Sequence, residues 1–416
     1  MKNRLTKLER NWILYDVGNS AFTLLVSTIM PLYFNSLAEA GGVSEVDYLA
    51  WWGYAASIST ALVAIMGPIV GTATDNKGYR KPIFAAFVII GALLCVSLGF
   101  AKQWVLFLII YIIGKSAYSV SLVIYDSMLN DVTTEERLSD VSSQGYAWGY
   151  IGSCIPFILS LVLVLFGENF GVSMGTAMML AFVITAVWWV LFSVPLLKSY
   201  KQKNFVEKES RVALTDSFRR IGKTLSHIKD QKGVFLFLLA FFFYIDGVYT
   251  IIDMATAYGS AIGLDSTALL LALLVTQVVA FPFAILFGKI ATKFKTSSLI
   301  TVCIVAYLGI ALFAITLAQE WQFWVLAVCV GMFQGGIQAL SRAYFTRIIP
   351  AEESGEYFGL YDICGKGAAF LGTTIVSVVS QLTNSAQLGV GAISLMFVIG
   401  IFLFRKAAKE NADKVA

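Results

Sequence analysis

Ionisable side chains set into long apolar runs are the first chemistry this chain offers. Asp16, Lys115, Asp126, Asp246, Arg342, Asp362 and Lys366 each interrupt such a run. A charge at the centre of a bilayer helix costs about 2.5–3.5 kcal/mol on insertion scales, so each of these needs a partner, water or a task. Lys115, Asp246 and Lys366 fall about half-way along their runs, whereas the others lie closer to one end. For Asp246 and Lys366 two readings stand side by side. The pair binds a zwitterionic or anionic solute, or exchanges a proton as a cavity switches sides, because burial and nearby cations move a carboxylate in opposite directions. Alternatively it is a fixed structural pair between two helices. Lys115 could serve the solute, snorkel or pair locally, and Asp16 and Arg342 could equally contact solute or form a gate.

A polar loop carries the second pattern, Gly71-Thr-Ala-Thr-Asp75-Asn-Lys-Gly78-Tyr-Arg80-Lys81. Gly71 permits close helix packing and Gly78 a tight turn. Asp75 can receive the positive N-terminal end of a helix from elsewhere in the chain. Arg80 and Lys81 hold the loop on the cytoplasmic side. Such a contact would latch one side of the protein shut. The bland alternative is a plain basic turn. At the corresponding place in the second half, Thr292 replaces the aspartate, so that copy is degenerate.

These residues need membrane helices to position them. The 416 residues are 58% hydrophobic and 13% charged, with a mean hydropathy of +0.77. Soluble domains are about half apolar and about a quarter charged, so a large soluble core is excluded. Apolar runs at 11–37, 48–73, 82–101, 104–130, 140–166 and 172–197 predict six helices, each long enough to span a bilayer. A second six follow at 233–262, 266–291, 297–318, 321–346, 356–382 and 387–404. The expected organisation is an N-terminal six-helix bundle (1–197), a basic linker (198–232) and a C-terminal six-helix bundle (233–416).

The halves carry anchors at one offset. Gly71 and Gly288 are 217 positions apart, as are the turns Val132–Glu136 and Ile349–Glu353. Parallel repeats of this sort build carriers whose site lies between the halves. Of the 30 basic residues, 27 fall on segments that an inside N-terminus makes cytoplasmic. Only Lys102 falls on an outer loop, and Lys115 and Lys366 lie within the membrane. Both termini are therefore expected inside. The apolar run after Arg10 is too long for a cleaved signal peptide. The linker reads as a positive-inside segment with an amphipathic stretch near Leu214–Ile228 on lipid, rather than a nucleic-acid patch. Five cysteines inside apolar runs and a lone His227 offer neither a disulfide framework nor a metal site.

The loop pattern resembles the G-x-x-x-D-[RK]-x-G-[RK]-[RK] signature of the major facilitator superfamily. Further runs narrow the resemblance: Trp12 to Phe22 with Tyr15, Asp16, Gly18, Asn19 and Ser20, Phe243 to Asp253 with Asp246 and Gly247, and Gly335 to Arg342 with Gln338. With Glu356 to Tyr361 and Gly365-Lys366, they resemble the vacuole-effluxer family over the whole chain. One departure is Asn130-Asp131, where Leu-Pro-like residues are expected. Gly145, Gly149, Gly152 and Pro156 resemble the superfamily's glycine-rich antiporter segment, or simply allow close packing. The resemblance implies an all-α integral membrane protein of twelve helices whose first, fourth, seventh and tenth line a central cavity. That would gather Asp16, Asn19, Lys115, Asp126, Asp246, Gln338 and Arg342 around one space, with Lys366 nearby.

The expected function is secondary transport of a small polar or zwitterionic solute, amino-acid-like, by alternating access. Proton coupling and efflux are expected, in a monomer in the cytoplasmic membrane, with no cofactor, metal or nucleic-acid partner. Amphiphiles such as drugs, bile acids or lysolipids are the alternative cargo, and a non-transporting sensor a third reading. No protease pattern makes it an enzyme.

Overall fold

The computed structural model describes residues 4–207, 231–261 and 266–415, and the stretch around Leu214–Ile228 with His227 lies outside them. Helices that run back and forth dominate it. In the first half they are α1 (Lys7–Ser27, continued by Ile29–Ala40), α2 (Glu45–Thr74), α3 (Arg80–Leu98), α4 (Trp104–Ser127), α5 (Leu138–Phe166) and α6 (Met174–Ser199). The second half repeats the pattern with α7 (Lys232–Ala261), α8 (Ser266–Ile290), α9 (Thr296–Ala314), α10 (Glu320–Ile348), α11 (Ser354–Thr383) and α12 (Ser394–Glu410, preceded by Ala386–Ala392). Among the described residues, 11 helical stretches are long and apolar enough to cross a bilayer. In α11 the apolar stretch Leu371–Thr383 is shorter.

Local chemistry sets the helix ends. Thr6 and Glu9 form a reciprocal capping box at the start of α1, which satisfies two backbone donors the helix leaves open. Toward its C-terminal end α1 breaks at Thr28, because Pro31 has no N–H to give the Ser27 carbonyl. Asn384, at φ 53°, ends α11 in the left-handed region that asparagine tolerates.

Each half has its own core. Trp12, Phe84, Phe107, Tyr125 and Trp189 pack the first, and Phe237, Tyr244, Ile304, Tyr307 and Phe397 the second. Exposed Leu93, Ile109, Leu159, Val302, Leu395 and Phe402 cover the outside, a surface suited to lipid rather than water. The halves meet where α2 packs on α11 and where α5 packs on α8 and α10.

Candidate functional site

Polar contacts between the halves gather at the face where the described chain begins and ends, here called the terminal face. Gly71 lets α2 and α11 touch backbone to backbone: a side-chain carbon there would lie 2.1 Å from the Gly355 carbonyl oxygen. That approach brings Asp75, fully buried, onto the start of α11. It accepts from the Gly355 and Glu356 amides at 2.8 and 2.9 Å, two of the donors a helix start leaves unpaired. Gly78 turns the chain at φ +81°, and Arg80 returns to bond Asp75 at 2.7 Å. Its other arm reaches Asp131 at 3.0 Å, with all three side chains buried. Lys81 is exposed. Asp131 lies in the pair where the sequence departs from its family pattern. It sits in the short helix Leu129–Val132, and nothing in the sequence beyond that departure marked it.

One turn deeper, Arg342 of α10 crosses to the first half. It bonds Asp126 of α4 at 2.8 Å, Asp16 of α1 at 3.4 Å and the Ser142 hydroxyl of α5 at 2.9 Å. The Trp12 and Tyr146 rings lie 4.7 and 4.3 Å from the guanidinium carbon. Such ring faces add electrostatic attraction to a desolvated cation. Asp16 also accepts from the Tyr125 hydroxyl at 2.7 Å. Gly145 leaves the room for this cluster, since a side-chain carbon there would sit 2.3 Å from Asp16. Asn19 bonds Asp16 at 3.3 Å and the Tyr15 carbonyl at 3.0 Å, and Gln338 accepts from Tyr150 at 3.3 Å. Asp16, Asp126 and Arg342 therefore meet, closing the space between the halves toward the terminal face.

Farther along α4 and α7, away from this plug, stand two more charged side chains. Lys115 of α4, partly exposed, lies 5.7 Å from the Tyr111 ring centroid. Its charged neighbour is the exposed Asp253 of α7, from the opposite half. Among the described residues the two make no direct ion pair, with each other or with any other group. Tyr249 and Asp253 stand one turn apart on α7, as Lys115 and Tyr118 do on α4, and Tyr249 lies near Tyr118 as Asp253 lies near Lys115. The sequence shows Asp253, but not which side of α7 it would occupy.

Asp246 does not join them. It is buried between α7 and α11, where its Oδ1 accepts from the Gly372 amide and the Thr250 hydroxyl, each at 3.2 Å. Among the described residues its Oδ2 has no hydrogen-bond partner. The Lys366 side chain lies outside the described residues. No group of metal-ligating side chains occurs among the described residues.

Two helical halves, sealed at one face and holding opposed charges beyond the seal, define a membrane carrier of the major facilitator superfamily. The solved structure of FucP, a transporter of that superfamily in its outward conformation, superposes with a TM-score of 0.72 at 13% identity, over 96% of this chain and 97% of its own. The chain belongs to the Atg22-like vacuole effluxers, whose family model matches residues 6–415. It is 42% identical over its whole length to "Uncharacterized MFS-type transporter YxiO" of Bacillus subtilis, covering 98% of that protein. It is also 21% identical to "Autophagy-related protein 22" of Kluyveromyces lactis, over 98% of this chain and 94% of the relative. The protein is thus a multi-pass membrane transporter and not an enzyme.

Proposed function

We propose that this transporter moves a small zwitterionic, amino-acid-like solute across the cytoplasmic membrane by alternating access. The observation that carries the solute class is the opposed pair Lys115 and Asp253. A cation on one half and an anion on the other, neither in a direct ion pair among the described residues, match the carboxylate and ammonium of one small solute. A solute bridging them would draw the halves together, and that differential contact is what a conformational switch requires. The basic-residue bias makes the terminal face cytoplasmic. The seal at Arg342 and Asp75 is then the cytoplasmic gate, and the cavity of this state opens outward. Asp16, Asn19, Asp126 and Gln338 serve that gate, and Lys366 remains a candidate for the solute.

Asp246 supports proton coupling, since a buried carboxyl with one oxygen lacking a partner among the described residues is a place to carry a proton. With that coupling and the effluxer ancestry, the reading is proton-driven export by a monomer embedded in lipid. A second reading has one observation in its favour. An apolar cavity between α7, α8 and α10, lined by Met254, Tyr258, Phe323, Leu326 and Val330, would suit the tail of an amphiphile.

Transport by purified Lys115→Met and Asp253→Asn variants in proteoliposomes tests the solute site. Each should lose about tenfold or more of the wild-type flux, roughly 1.4 kcal/mol or more, while its melting temperature stays unchanged. Wild-type flux in either variant removes the pair from the mechanism.

A further inference from the structure

The linker between the halves does not leave α6 freely. Its first residues, Tyr200–Glu207, lie across the Asp75–Arg80 loop and are bonded to it along their length. Gln202 accepts from the Gly78 amide at 2.9 Å and donates to the Thr74 carbonyl at 3.0 Å. The Val206 amide bonds the Asp75 carbonyl at 2.8 Å. Lys77 pairs with Glu207 at 3.2 Å and stands 4.8 Å from the centroid of the Phe205 ring.

The same strap caps Asp131. The Lys203 and Asn204 amides and the Asn204 side chain donate to its Oδ1 at 3.2, 2.8 and 2.9 Å. The Tyr200 hydroxyl donates to its Oδ2. Burial holds that hydroxyl well above its usual range, against the pull of Arg80, so it stays protonated and able to donate. Asp131 is thus satisfied by neutral donors at one oxygen and shares the other with Arg80. Without them its carboxylate would compete with Asp75 for the guanidinium, because a buried carboxylate left short of partners is costly. The strap therefore sets how much of Arg80 remains on Asp75.

We propose that Gln202 and Asn204 are positioning residues of the cytoplasmic latch: docked, the linker holds Arg80 and the Gly78 turn so that Asp75 meets the start of α11. The inference rests on the alternating-access reading above. It makes the segment joining the halves a part of the gate rather than a tether. Linker and latch would then be released together when the cytoplasmic side opens.

The test is a distance measurement across the cytoplasmic face by pulsed electron resonance. Spin labels on Glu136→Cys and Lys293→Cys, both exposed sites on opposite halves, report the opening. Cys329 and Cys364, the cysteines that are not buried, are first replaced by alanine. The Gln202→Ala/Asn204→Ala double variant removes only side-chain bonds of a partly exposed segment, so it should fold. It should raise the open population about threefold, in the same direction as Asp75→Asn. Adding it to Asp75→Asn should change little further, because both act through one contact. A purely structural strap would lower the melting temperature and leave the distances alone. An unchanged distribution in the double variant, with Asp75→Asn opening the gate, overturns the strap and leaves the latch. An unchanged distribution in Asp75→Asn itself overturns the latch reading beneath it.

Discussion

At the scale of single residues, the arginine of α10 ties the two halves together. Arg342 is buried, holds two carboxylates from the other half and fills the space under two aromatic rings. Removing one partner of a buried ion pair costs about 3–5 kcal/mol, because the remaining charges stay desolvated. Arg342→Ala should accordingly lower stability by that order, read as a fall in melting temperature, and open the terminal face. Arg342→Lys should rescue little of it, since a lysine reaches one carboxylate and lacks the planar fork. Asp246→Asn should behave differently: exchange of solute persists, while stimulation by a pH gradient disappears. An Asp246→Asn protein that still responds to the gradient would remove this carboxyl from coupling. Arg342 and Asp16 were visible in the sequence as charges out of place, because their cost in a membrane does not depend on knowing the fold. Their mutual contact was not visible, because 326 residues separate them and no period links them.

At the scale of elements, the proposed latch is a meeting of two helix ends. The loop after α2 was legible from spacing alone, since Gly71, Asp75, Gly78 and Arg80 are close in sequence and act on one turn. The strap was not legible, because an irregular segment bonded through its backbone leaves no pattern of residue types. Asp131 was visible only as a departure from the family pattern, and it takes its meaning from the strap that covers it. A single substitution at the helix contact tests the element. Gly71→Leu places carbon where the Gly355 carbonyl oxygen stands 2.1 Å away, and that partner is backbone, which cannot step aside. α2 and α11 should then be unable to close. The expected protein is folded but held open to the cytoplasm, with cysteines introduced along the gate becoming reactive from that side. A Gly71→Leu variant that still closes and transports at the wild-type rate would contradict the close approach of α2 and α11.

At the scale of the whole molecule, the hydrophobic runs announced nearly every membrane helix, because lipid demands long apolar stretches whatever the cargo. Boundaries moved by a few residues at most helix ends, and the first run is broken within its span at Thr28. On the proposed reading the cargo is written far more faintly, in two charges on helices from different halves. Which face of α7 carries Asp253 depends on how that helix packs, and that depends on the entire fold. The central claim is that these two charges hold a zwitterionic solute between the halves. Uptake of a labelled amino-acid mixture into proteoliposomes, with and without an imposed pH gradient, tests it most directly when wild type and Lys115→Met are compared. Gradient-stimulated accumulation of individual amino acids by the wild type, lost in the variant, is the predicted result. A demonstrably folded wild type that accumulates no amino acid under either condition would contradict it and turn attention to amphiphiles and the apolar cavity of the second half.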